Sequence, residues 1–145
     1  MASTHVQLEV EEWVRRKWLP RHYGVKFARG CVELSSGALF DFNAVSSDSE
    51  IVASISTSAL RSAGGKLGAG KMEKIRSDAY FLVLAEVGTK ALVFSEKEMY
   101  ERWITEQEQG RVPSSIDVLW ARIPPGLNKR LVAAREIASK EVRLK

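Results

Sequence analysis

The spacing of apolar positions sets the elements. Val6, Val10, Trp13, Val14 and Trp18 recur at helical spacing, which predicts an amphipathic helix over 5–19. Pro20 is expected to end it, because proline cannot donate the next helical hydrogen bond and restricts Leu19 before it. Two short strands are expected at 25–27 and 31–34, then a strand at 39–45 after the turn Ser35-Ser36-Gly37. A polar turn at 46–50 leads into 51–57, where Ile51, Ala53 and Ile55 alternate with Val52, Ser54 and Ser56. A period of two is a strand signal, and strand-like runs joined by short turns imply an antiparallel meander.

Residues 58–70 hold Gly64, Gly65, Gly68 and Gly70 and read as a loop. A short helix is expected at 71–78, and the apolar runs 80–87 and 90–94 read as strands, the first fully buried. Ser95 followed by Glu96, Lys97 and Glu98 resembles a helix start, and the helix continues through Met99 and Trp103 to Gly110. A last strand over 116–123 closes at Pro124-Pro125-Gly126, and 127–145 forms an appended C-terminal helix. The expected fold is α/β, a central mixed β-sheet flanked by helices in a single domain spanning 1–145.

Composition narrows the function classes. One cysteine among 145 residues excludes an internal disulfide, and with two histidines it leaves little for a structural zinc site. No apolar run approaches the ~20 residues of a membrane helix, and Met-Ala-Ser-Thr-His lacks the order of a signal peptide. The expectation is a cytoplasmic protein with no membrane partner. The net charge of +4 is modest, but it is blocked. Residues 15–29 carry six basic residues and no acid, and further basic excess lies in 60–78 and 127–145. Arg15, Arg16, Lys66, Lys71, Arg76 and the C-terminal basic residues are therefore candidates for one surface that meets nucleic acid, with three separate solvated faces as the alternative.

Most catalytic patterns fail on inspection. Gly65 to Gly70 followed by Lys71 has phosphate-loop spacing, but Met72 stands where a hydroxyl must hold magnesium. Cys31 has no histidine near it in sequence and reads as a buried structural cysteine, and His22 as a loop residue. No Gly-x-Ser-x-Gly elbow is present. Trp13 and Trp18 share the apolar spacing of the valines and read as packing residues.

A helix carrying Glu12, a strand carrying Asp41 in Phe40-Asp41-Phe42, a turn, and a strand beginning Ile51-Val52 stand in a recognisable order. Over residues 6–105 this order resembles the PD-(D/E)xK phosphodiesterase superfamily, the restriction-endonuclease-like fold. The resemblance implies that Asp41 is the strand aspartate and Glu12 the helix glutamate. Its carboxylate-x-lysine positions fall on Ser54-Ile55-Ser56, where both charged groups are serines. Asp41 and Ser54 are expected on neighbouring strands with side chains on one face. If the chemistry has moved, Glu73 on the following helix joins Asp41 as a Mg2+ ligand, and Lys71 or Lys74 replaces the strand lysine; Glu50 is the other carboxylate within reach. The resulting expectation is a nucleic-acid-binding domain, DNA first, whose catalytic residues are lost or relocated. The alternatives are a non-enzymatic protein-interaction module or homodimer, and an active Mg2+-dependent nuclease.

Overall fold

A computed structural model describes residues 2–61, 65 and 67–144. The first helix, α1 (Ala2–Trp13), does not stop at Pro20. It widens into a π-helical turn (Val14–Trp18) and continues as α2 (Leu19–Tyr23). In the wide turn Leu19 donates its N–H to the Val14 carbonyl. A regular turn would drive the Pro20 ring against the Arg16 carbonyl, so the extra residue per turn is what lets the helix pass the proline. Gly24 ends it in the left-handed conformation (φ 75°), its N–H bonded to the Pro20 carbonyl at 2.8 Å.

The two short strands expected at 25–27 and 31–34 are one, β1 (Phe27–Glu33), followed by β2 (Leu39–Ser46) and β3 (Ile51–Ser56). Helix α3 (Ala69–Leu84) leads to β4 (Thr89–Phe94), α4 (Lys97–Glu108), β5 (Ile116–Trp120) and α5 (Pro125–Leu144). The five strands form one mixed sheet in chain order. β1, β2 and β3 are an antiparallel meander, and β3, β4 and β5 run parallel. The carboxyl ends of β3, β4 and β5 therefore share one edge of the sheet.

The expected buried strand at 80–87 is instead the second half of α3. Met72, Ile75, Ala79 and Leu82 are its buried residues. Their spacing of three and four is a helical stripe, while Tyr80 and Val83 stand exposed. Helices α3 and α4 cover one face of the sheet, packing Met72, Ile75, Leu82, Met99 and Trp103 on Phe42, Val52, Leu92 and Phe94. Helices α1 and α5 cover the other, with Val10, Val14 and Leu131 on Ala44, Ala53, Ile55, Ala91 and Val93. Burying the apolar area of both faces is the main stabilising term of this three-layer arrangement. Cys31, expected in the interior, is exposed on edge strand β1. Among the described residues no helix is long and apolar enough to cross a membrane.

Candidate functional site

The sheet opens between β2 and β3. These strands pair only at Ala44–Ala53 and Val45–Val52. The cause lies in β2, which advances three residues, Phe42 to Val45, while β1 advances two, Ala28 to Gly30. That is a β-bulge, and it breaks alternation: Phe42 and Val45 pack on the α3 side, Ala44 on the α1 side. Bulging re-aims Asn43. Its Oδ1 accepts the Ile55 N–H at 2.8 Å, replacing a ladder hydrogen bond, and its Nδ2 donates to Glu11 Oε1 at 2.6 Å.

Glu11 is the centre of a charged cluster. Its side chain is only 12% exposed, and Oε1 also meets Arg29 Nη1 at 3.2 Å and Arg15 Nη1 at 3.5 Å. A buried carboxylate is tolerable only with such partners. Arg29 then reaches Asp41, Nη2 to Oδ2 at 3.2 Å, so one guanidinium bridges two carboxylates. Beside the cluster a cavity of about 200 Å³ is lined by Gln7, Leu8, Glu11, Asn43, Ile55, Thr57 and Lys74.

The residues singled out in the sequence are only partly brought together. Asp41 faces the α1 side through Arg29 and lies opposite Cys31 on β1. Glu12 points to solvent and pairs with Arg16 at 3.2 Å; the glutamate turned toward the sheet is Glu11, one residue earlier. Ser54 sits on β3, the neighbour of the strand that carries Asp41, but, two residues after Val52, it shares that residue's face toward α3, so Asp41 and Ser54 do not share the face expected of them. Ser54 is buried, and Ser56 Oγ accepts the Ser58 N–H at 3.4 Å. Glu73 is exposed on α3, which covers the face opposite Asp41, so the two do not form the expected magnesium pair. Among the described residues no cluster of three or more His, Cys, Asp or Glu is placed to hold a metal ion. The donor set around Asp41 does not fit the ion, because a guanidinium already neutralises it.

The basic candidates divide likewise. Arg15 turns inward to the Asn43 carbonyl at 3.1 Å. Arg76 is held by Glu106 at 3.2 Å and lies over the Trp103 ring. Lys71 donates to the Ala59 carbonyl at 3.5 Å, and burial, reinforced by the charge of Arg135, holds its pKa below the ordinary lysine value. Lys74 pairs with Asp78 at 3.1 Å yet remains exposed at the rim of the cavity. Lys66 lies outside the described residues.

Glu11 was accessible to sequence reasoning. It follows Val10 by one helical step of about 100° and lies on the Val14 side, whereas Glu12 lies a further step away. Arg29 and Asn43 carried no such signal, since their roles depend on the bulge. No protein-family model matches the chain, no curated protein does, and no solved structure does.

Proposed function

We propose that this chain is a nucleic-acid-binding domain of the restriction-endonuclease-like kind, in which an arginine has taken the place of a metal among the acidic side chains. The observation that carries this reading is Arg29, bridging Glu11 and Asp41 beside an open cleft. The meander followed by a helix and a parallel strand supports it.

Arg29 is half-exposed, and two of its donors are used by the carboxylates. A guanidinium has five, so donors remain for a phosphate oxygen. Lys74 at the cavity rim, with exposed Arg16 and Lys17, adds charge along the same side as α1. These contacts are to phosphate, so they position a strand without reading its sequence.

Fluorescence anisotropy with labelled duplex and single-stranded DNA, titrated at two salt concentrations, tests the reading. Binding should weaken with a log–log slope of roughly one per phosphate contact. Arg29→Gln and Lys74→Glu should both weaken it and lower that slope. Undetectable binding at low salt would overturn the proposal. A protein-interaction module would then be the better account, and exposed Tyr80 and Val83 on α3 would be the surface to test for a homodimer.

A further inference from the structure

A second cavity lies at the shared edge formed by the carboxyl ends of the parallel strands. It has a volume of about 340 Å³ and lies beyond β4 and β5, between the first turns of α4 and α5. In open α/β sheets this edge is where ligands bind, because loops and helix starts converge there. The residues that matter are Trp120, Lys97, Arg122, Glu96, Ile123 and Asn128.

Charge in this cavity is arranged for an anion. The acid among its described lining residues, Glu96, is already engaged: Oε1 accepts Arg135 Nη1 at 2.7 Å, and Oε2 accepts the Ser95 hydroxyl at 2.8 Å. Arg135 is fixed from behind by the Thr57 carbonyl. With Glu96 neutralised, Lys97 and Arg122 leave the lining positive; Lys97 has only a loose pairing with Glu101 at 3.8 Å. Glu96 is also the N-cap residue of α4, and that helix start carries no side-chain cap. Its first N–H groups add to the attraction for an anion at the cavity edge, against the charge of Glu98 in the same turn, so Lys97 and Arg122 carry most of it.

The same cavity offers an aromatic plane. Trp120 is half-buried, and its Nε1 donates to the Ser95 carbonyl at 3.4 Å, which fixes the indole. Tyr100 stacks near it, with centroids 6.5 Å apart, and Lys97 Nζ lies 5.7 Å from the ring centroid. Ile123 and Pro125 supply apolar walls, and Asn128 supplies an amide with both donor and acceptor.

We propose that this cavity binds one nucleoside monophosphate unit, either free or as the terminal nucleotide of a strand. The base lies against Trp120, the phosphate meets Lys97, Arg122 and the start of α4, and Asn128 meets the base edge. The volume is at the small end of ligand sites, which run from about 300 to 1,000 Å³, and suits one nucleotide rather than several. This site is separate from the Glu11 cleft, and its binding does not depend on the proposal made for that cleft.

Isothermal titration calorimetry on the full chain tests it with three probes: adenosine 5′-monophosphate, adenosine and inorganic phosphate. The monophosphate should bind more tightly than either part. Trp120→Ala should weaken it at least about fivefold, the lower bound for losing a base–aromatic stack, and Trp120→Phe should retain most of the affinity. Arg122→Gln, an exposed substitution that does not threaten folding, should weaken the monophosphate and leave adenosine unchanged. No heat with the monophosphate at millimolar concentration overturns the inference. So does phosphate binding as tightly as the monophosphate, which would mark a plain anion site. Oligonucleotides with and without a 5′-phosphate separate the two proposals. Binding that ignores Trp120→Ala but falls with Arg29→Gln counts against this cavity, and monophosphate binding without oligonucleotide binding counts against the cleft.

Discussion

Truncating Asn43 to alanine tests whether its side chain braces the opening between β2 and β3. Two hydrogen bonds disappear. The first leaves the N–H of buried Ile55 without its 2.8 Å acceptor, a penalty of about 1–3 kcal/mol. The second removes the 2.6 Å donor to Glu11, a charge-assisted bond of about 1.5–3 kcal/mol, part of which Arg29 and Arg15 retain. A loss of about 3 kcal/mol is expected, or roughly 10 °C in Tm for a chain of this size. Urea unfolding followed by tryptophan fluorescence measures the stability, and amide exchange at Ile55 measures the brace itself. Asn43→Asp provides the contrast. It keeps an acceptor for Ile55 but sets a carboxylate beside Glu11, so its deficit should shrink as the pH falls. An Asn43→Ala protein within about 0.5 kcal/mol of wild type, with Ile55 still protected, would refute the reasoning.

The other predictions concern charge and cleavage. Glu106 is buried, and its pKa is held below the ordinary value of 4.5 by hydrogen bonds from Arg111, at 2.7 Å, and Arg76, at 3.2 Å. A depressed folded pKa means the stabilisation is present above about pH 4.5 and is lost as pH falls through the folded value. Glu106→Gln should cost about 2 kcal/mol at neutral pH and flatten the acid limb of a stability–pH curve; an unchanged acid limb would show that the pair is not the source. Cleavage of plasmid and oligonucleotide with Mg2+ or Mn2+ should be weak or absent, and chelation should leave nucleic-acid affinity unchanged. Strong cleavage that survives Asp41→Ala and Glu73→Ala would show that the superfamily alignment of this chain is wrong.

Where the sequence was legible, local pattern and tertiary packing agreed. The stripe of Val6, Val10 and Val14 is the buried face of α1 and of the π-turn that continues it, and the alternation in 51–56 is β3 with core on both sides. Where it misled, two patterns overlapped. Residues 80–84 form an apolar run, but only Leu82 among them is fully buried, because α3 also carries exposed Tyr80 and Val83. A short apolar run does not by itself distinguish strand from helix. Pro20 misled in another way, since a π-turn accommodated what a regular helix would not. At the site, Asp41 was legible as a strand acid. The bulge that aims Asn43 and the contacts of Arg29 across twelve and eighteen positions, to Asp41 and Glu11, arise only once the sheet is assembled.

Arg29 gives the proposed site its physical character. A divalent ion between two carboxylates exchanges with solvent, keeps waters to activate, and brings a charge that follows its concentration. A guanidinium in that place is permanent, planar and covalently tethered, and has no water to deprotonate. It satisfies Glu11, which would otherwise be a buried acid with fewer partners, and it satisfies Asp41 at the same time. What it presents outward is hydrogen-bond donors at a fixed position beside a cleft, with Lys74 at the rim. Such a surface attracts phosphate through charge and geometry but supplies neither a nucleophile nor a Lewis acid. On the proposed reading, the arginine that bridges the two carboxylates belongs to a site that holds a strand rather than cuts it.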